Sequence, residues 1–222
     1  MKTTAAVQDY LKTIYALETQ GNSVTTSTIA ARLGLSAPSV SVMVKRLIAE
    51  QFLEKSPGHQ VTLTLRGKTE ALQVVRRHRL LETFLARVLG FRWDEVHAEA
   101  EVLEHALSDR LEERIELMLE YPTHDPHGDP IPPKTGEHDE HWSDPLYNAL
   151  PGTRFRVERV SDRDSAALRY LAELNIRPGV VIEVGERAPF GGPLWVSVDR
   201  KQHALGPPLA QIVHGTVVDV PK

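Results

Sequence analysis

Between Tyr121 and Pro151 the chain gives up every apolar period it has elsewhere. The run YPTHDPHGDPIPPKTGEHDEHWSDP is dense in proline, glycine, histidine and aspartate, a composition that supplies turns, stops helices and offers little apolar surface to bury. A chain of 222 residues broken in this way is predicted to fold as two parts joined by a linker over residues 122–150, and no internal repeat is visible. The net charge of −4 is unevenly shared. Residues 1–66 carry seven Lys/Arg against four Asp/Glu, whereas 67–121 carry eight against twelve and the linker one against six. The amino-terminal part is therefore the one able to approach a polyanion. Cysteine is absent, which excludes disulfides, thiolate nucleophiles and zinc ribbons. No run approaches the roughly 20 apolar residues of a membrane span, and the first twenty residues lack the apolar core of a signal peptide. A soluble cytoplasmic protein with no membrane partner is the expectation.

Val7, Tyr10, Leu11, Ile14, Tyr15 and Leu17 recur at steps of three and four, the apolar face of a helix ending near Gly21. A short helix follows, capped by Thr25, Thr26 or Ser27, carrying Ile29, Ala30 and Leu33, and stopped by Gly34. A third begins at Ser36 with Pro38 in its first turn and runs through Val40, Met43, Val44 and Leu47 toward Glu50. Two short helices joined by a tight glycine turn form a helix-turn-helix pattern. Strand, turn and strand over Phe52–Lys55, Ser56–His59 and Gln60–Leu65 would make the wing of a winged helix. Opposite its apolar stripe the third helix offers Pro38, Ser39, Val42, Lys45 and Arg46. With Ser36 and Ser41 these are candidates to contact double-stranded DNA: phosphates through serines and bases through apolar contact with thymine methyls. Lys55 and His59 on the wing are at most backbone contacts. The same helical packing also occurs in domains that never touch DNA.

From Gly67 to Leu89 an apolar seam is interrupted by two polar residues, His78 and Glu82. After Trp93 a helix with Val96, Ala100, Leu103, Leu107 and Leu111 as its buried stripe carries His97, Glu101, Glu104 and His105 beside that stripe. Carboxylates and imidazoles flanking a core must reach solvent or share a cation. A solvated acidic face accounts for any one of them. A divalent metal is the economical partner for all six, with Asp9 of the first helix within reach.

These residues, taken together, resemble the diphtheria toxin repressor family of metal-activated transcriptional repressors over nearly the whole chain. The match rests on Asp9-Tyr10-Leu11 with Ile14-Tyr15, Ile29-Ala30, Ser36 to Ser41, and Arg77-His78-Arg79-Leu80-Leu81-Glu82. It continues through Val96-His97-x-Glu99-Ala100, Glu104-His105-x-Leu107-Ser108 and His127-Gly128-Asp129-Pro130-Ile131-Pro132. The resemblance implies a primary metal position at Asp9, Glu101, Glu104 and His105, and an ancillary one at His78, Glu82 and His97. It implies a homodimer on a palindromic operator, with Leu81, Phe84, Val88, Leu107 and Leu117 as candidates for the seam. Iron-responsive members typically carry methionine and cysteine where this chain has Asp9 and Glu101. Hard oxygen donors favour Mn²⁺ relative to softer competitors, with Fe²⁺ as the alternative. The short manganese repressors similar to this chain place a glutamate one turn after the aspartate, where this sequence has Lys12.

The expected organisation is mainly helical with a small β domain. It comprises a winged helix over 1–66, a helical metal-binding and dimerisation domain over 67–121, the linker, and an SH3-like barrel over 151–222. The barrel is read from β-branched runs at Phe155–Val157, Val180–Val184 and Leu194–Val198 separated by turns. By position it could lend Asp164 to the ancillary metal, with Asp162 as the fallback and Ala167 where a second polar donor is expected. The linker histidines His124, His127, His138 and His141, paired at i, i+3 among Asp125, Asp129 and Glu140, could bind a divalent ion, but read rather as part of a solvated acidic loop without a regulatory role. The sequence holds no H-E-x-x-H, Gly-rich phosphate loop or serine elbow, so a regulator rather than an enzyme with a small-molecule substrate is expected. The further alternative is a metal-binding interaction protein that does not bind DNA.

Overall fold

The computed structural model describes residues 3–135, 138 and 140–219. Met1, Lys2, Gly136, Glu137, Asp139 and residues 220–222, which fall within the expected spans 1–66, 122–150 and 151–222, lie outside the described residues. The described residues form two compact units. The first takes in Met1–His78, Glu101–Arg114 and Ile131–His141, and the second Arg79–Ala100, Ile115–Pro130 and Trp142–Lys222.

In the first unit, α1 (Ala5–Thr19) buries Val7, Tyr10, Leu11, Ile14, Tyr15 and Leu17, the face that the spacing predicts. α2 (Thr26–Leu33) starts from a reciprocal cap between Thr25 and Thr28, and Gly34 closes it at φ 66°, a left-handed turn suited to glycine. α3 (Ala37–Ala49) is capped by Ser36 with Pro38 in the first turn, and buries Val40, Val44 and Leu47. The hairpin of β1 (Leu53–Ser56) and β2 (Gln60–Leu63) pairs Leu53 with Leu63 and Ser56 with Gln60, turning through Gly58 and His59, both at positive φ. Glu18, near the end of α1, accepts hydrogen bonds from the Thr62 hydroxyl and the Leu63 amide, fixing the wing to that helix. One core joins α1, α2, α3, the wing and Ala71 and Val75 of α4 (Leu65–Arg87). Each fully buried Leu or Ile there is worth about 1.5–3 kcal/mol over exposure.

The helix expected after Trp93 is two helices, α5 (Val96–Leu103) and α6 (Asp109–Met118). Ser108 breaks it: its hydroxyl accepts from the Leu111 amide and its carbonyl from the Glu112 amide, the cap of a new helix with Asp109 and Glu112 in its first turn. The predicted stripe fails with it, since Leu103 and Leu111 are exposed while Val96, Ala100 and Leu107 are buried. Of the proposed seam residues, Leu81 and Leu107 are buried within the chain, whereas Val88 and Leu117 are exposed.

The second unit carries an antiparallel sheet in the order β6-β5-β4-β3-β7: β3 (Arg154–Val160), β4 (Val181–Arg187), β5 (Leu194–Val198), β6 (Lys201–Leu205) and β7 (Val213–Asp219). Two helices that the strand reading of this segment does not contain, α7 (Ser165–Glu173) and α8 (Pro207–Ile212), connect its strands. Phe155, Val157, Leu168, Leu171, Ile176, Ile182, Val196 and Leu205 fill its core together with Trp93 and Leu146. Among the described residues no single helix is long and apolar enough to cross a membrane.

Among its described residues, the segment 122–150 is not a solvated loop throughout. Asp125, His127, Asp129 and Leu146 are buried in the second unit, and Ile131 and Glu140 in the first. The physical reason is a tight turn in which the Asp125 carboxylate accepts the His127 and Asp129 amides. The His127 carbonyl in turn accepts the Val160 amide. Gly128 sits at φ +88°, where a Cβ would meet the Glu158 carbonyl oxygen at 2.0 Å. Hydrogen bonding of the backbone, not apolar periodicity, orders this run.

Candidate functional site

α3 presents Pro38, Ser39, Val42, Lys45 and Arg46 on its exposed side, with Ser41 half-buried. Val42 is 69% exposed. Three of the predicted contact residues are already engaged. The Ser36 hydroxyl caps the helix by accepting the Ser39 amide and lies 2.8 Å from the Ser39 hydroxyl. Arg46 donates to Glu50 one turn further on at 2.7 Å. His59 is exposed at the tip of the wing.

Four elements of the first unit converge on Glu104, which is 1% exposed. α1 supplies Asp9 and, one turn later on the same face, Lys12; α4 supplies His78, α5 supplies Glu101, and the turn after α5 supplies Glu104 and His105. Lys12 Nζ donates to Glu101 Oε1 at 2.7 Å and to Glu104 Oε1 at 2.6 Å. His78 Nδ1 lies 2.5 Å from Glu104 Oε2. His105 Nε2 lies 2.8 Å from Asp9 Oδ1, and its Nδ1 is 2.7 Å from the Gln8 side-chain oxygen. His78, which the resemblance assigns to the ancillary position, bonds Glu104 here. The Lys12 ammonium bridges two of the carboxylates, those of Glu101 and Glu104.

Charge explains the electrostatics of this cluster. Burial pulls Lys12 down, but Glu104 and Glu101 outweigh it and leave its pKa raised. Burial pushes Glu104 up, yet the His78 hydrogen bond and the Lys12 charge hold it below the usual carboxylate range. Asp9 is raised by burial against the pull of His105 and Lys12, and its buried Oδ1 has no hydrogen-bond donor. If His105 donates to Gln8 through Nδ1, its Nε2 lone pair faces that oxygen, an arrangement that calls for a shared cation. Asp9, Glu104 and His105 offer donor atoms within 4.8 Å of one another, as do His78, Glu101 and Glu104. A donor set of oxygens and imidazole nitrogens, with an orphaned buried carboxylate oxygen among them, fits a hard divalent ion.

The second unit holds another such cluster around Glu82, which is fully buried. His97 Nδ1 is 2.8 Å from Asp162 Oδ2 and 3.3 Å from Glu82 Oε1. His127, with no exposed surface, places Nε2 at 2.7 Å from the Trp93 carbonyl, stacks against that indole, and holds Nδ1 at 3.6 Å from Glu82 Oε2. A carbonyl only accepts, so Nε2 carries a proton, and a neutral ring would aim its Nδ1 lone pair at a carboxylate. The geometry calls for imidazolium at His127, and carboxylates raise both rings: burial opposes it, but Asp162 and Glu82 raise His97 to about 11 and Glu82 raises His127 to about 10. Asp162 is held below its ordinary range, its His97 hydrogen bond outweighing burial. Glu82, Asp125 and His127 also place donor atoms within 4.8 Å of one another.

Asp164 is not part of this cluster. Its carboxylate caps α7 by accepting the Ala166 and Ala167 amides at 2.9 and 3.1 Å, and Asp162, two residues earlier, meets His97 instead. Sequence reading also missed Asp125 and His127 as members, since it placed them in a loop. The adjoining His127-Gly128-Asp129 match was the available signal. Of the other linker histidines, His124 contacts Thr123, and His138 meets Glu140, which also accepts from the Tyr15 hydroxyl of α1. His141 is exposed.

Residues 2–60 match the model of the iron dependent repressor N-terminal DNA binding domain, and residues 64–133 that of the iron dependent repressor metal binding and dimerisation domain. Residues 145–216 match the FeoA domain. The chain is 42% identical over 123 residues to the iron-dependent repressor IdeR of Mycobacterium leprae (strain TN), covering 55% of this chain and 54% of that protein. It thus spans about half the length of the mycobacterial relatives it matches. It is 31% identical over 192 residues to the diphtheria toxin repressor of Corynebacterium diphtheriae, covering 80% of this chain and 83% of that one. Among solved structures, a manganese-dependent transcriptional repressor in complex with manganese aligns with TM-score 0.90 and 41% identity over 96% of this chain and all of that chain. The manganese regulator SloR aligns at 0.81 and 32% over 98% of this chain.

Proposed function

Because the chain belongs to the iron-dependent, diphtheria-toxin-repressor family of metal-dependent regulators, we propose that it is a divalent-metal-activated DNA-binding repressor. In this reading it works in the cytoplasm as a homodimer on a palindromic operator and is not an enzyme. Mn²⁺ is the activating ion. The observation that carries this choice is the donor set around Glu104: Asp9, Glu104 and His105, with Glu101 joined to Glu104 through Lys12, offer oxygens and one imidazole, with no sulfur, and the Asp9 oxygen lacks a hydrogen-bond donor. The manganese-dependent structural relative at 41% identity supports it. The iron-dependent relatives support Fe²⁺ as the second reading.

When bound, the ion would supply the positive charge that Asp9, Glu104 and His105 share. The work is done by the chain's own residues. Asp9 lies on α1, whose buried face packs against the recognition unit and whose Glu18 holds the wing. Glu104 and His105 lie on the far side of the cluster, after α5. Fixing Asp9 against them restrains α1, and through α1 the orientation of α3. The arrangement in which Asp9, Glu104 and His105 would share an ion is the one toward which the population would shift. Lys12 and Gln8 orient Glu104 and His105 beforehand.

The test is a band-shift titration on a palindromic duplex with Mn²⁺, with Fe²⁺ under anaerobic conditions, and with chelator. Retardation that Mn²⁺ induces and chelator abolishes is expected. Activation by Fe²⁺ with Mn²⁺ inert would favour the iron reading, and binding indifferent to chelator would overturn metal dependence altogether.

A further inference from the structure

We propose that Lys12 sets the metal stoichiometry of the Glu104 cluster: its ammonium occupies the position of a second cation, so the cluster takes one divalent ion. This rests on the reading that Asp9, Glu104 and His105 hold a divalent ion. Two groups of potential ligands share Glu104, one with Asp9 and His105 and one with His78 and Glu101. Lys12 Nζ sits on the second group, 2.7 Å from Glu101 Oε1 and 2.6 Å from Glu104 Oε1, while Glu104 Oε2 is taken by His78. A divalent ion bridging the same two carboxylates would need those oxygens and would meet a like charge at contact distance. The lysine is 16% exposed at its side chain, and it stands one helical turn from Asp9, so its backbone keeps it at the cluster.

The charges balance in the same sense. Three carboxylates, from Asp9, Glu101 and Glu104, face one fixed ammonium, and a single divalent ion completes neutrality with both imidazoles uncharged. A second ion would leave the cluster net positive. The lysine therefore does two things without metal chemistry of its own. It keeps Glu101 and Glu104 assembled before metal arrives, and it excludes the second ion after it does.

The experiment compares wild type, Lys12→Gln and Lys12→Glu in bound Mn²⁺ per chain, by equilibrium dialysis with elemental analysis, and in the electron paramagnetic resonance spectrum of the bound metal. Ions held elsewhere contribute equally to all three and cancel in the comparison. The expected result is one further Mn²⁺ per chain in Lys12→Glu, with exchange coupling between two ions bridged by Glu104, against an uncoupled spectrum in wild type. Lys12→Gln, which removes the ammonium and adds no charge, carries the test if the glutamate variant fails to fold, and gains the same ion at higher Mn²⁺ concentration. A coupled pair in wild type, or folded variants that bind the wild-type number of ions, would overturn the role of Lys12 alone. If Asp9→Ala leaves Mn²⁺ uptake unchanged from wild type, the metal reading of the cluster fails, and this proposal falls with it.

Discussion

Glu104 is buried with partners on both oxygens, and such a group costs most when its charge is deleted and the partners are left behind. Glu104→Gln should destabilise the chelated protein by about 3 kcal/mol, because Lys12 and His78 keep their desolvation penalty and lose the charge that offset it. Urea denaturation of wild type and variant in chelator measures this; a loss under about 1 kcal/mol would mean that solvent already screens the group. His105 behaves differently, since it is partly exposed and fills no large apolar volume. His105→Ala should leave the melting temperature in chelator near wild type and remove most of the rise that Mn²⁺ brings, because a ligand that binds only the folded state raises stability with the logarithm of its excess. A variant that keeps the full Mn²⁺-dependent rise would remove His105 from the site. These residues were legible in sequence as polar interruptions of apolar seams. Lys12 was legible only as a departure, because its role depends on Glu101 and Glu104, about ninety positions away, meeting the same helical turn.

At the scale of elements, α1 to α3 and the wing follow from local rules: periodic apolar faces, threonine and serine caps, and the left-handed Gly34. Where long-range order supplied the structure, the local reading failed. The cap at Ser108 ended a stripe that periodicity alone would continue, and α7 went unread among β-branched runs although Asp164 caps it. The turn at Asp125–Asp129 is held by a carboxylate and backbone amides, which leave no period to detect. α3 yields a prediction of its own. Lys45 is exposed on the recognition face while Arg46 is tied to Glu50, so Lys45→Ala should weaken operator and non-operator binding by similar factors. It should also lower the slope of log affinity against log salt by about 1 per chain. A loss confined to the operator would make Lys45 a base contact instead of a phosphate contact.

For the whole molecule, the buried imidazoles decide how stability depends on pH when metal is withheld. His97 and His127 have folded-state pKa values raised to about 11 and about 10 by the carboxylates around them, against about 6.5 in an unfolded chain. A raised pKa means that the folded state binds the proton more tightly than the unfolded one. The contribution is fully present below about pH 6.5, where both states are protonated, and declines as pH rises through the folded values. His214 has the opposite sign: burial and the Arg159 charge lower its pKa, so its contribution is present above about pH 6.5 and fades as pH falls below that. His97 and His127 share Glu82, so their two contributions couple and do not add. In chelator, the stability gap between wild type and His127→Gln should therefore narrow from about pH 6 to about pH 9. The corresponding gap for His214→Gln should widen over the lower part of that range and then level off. Melting curves for the three proteins in chelator, taken across that range, measure both gaps at once. A His127 gap that stays constant with pH would mean that the ring is neutral in the folded protein, and that Glu82 finds its counter-charge elsewhere.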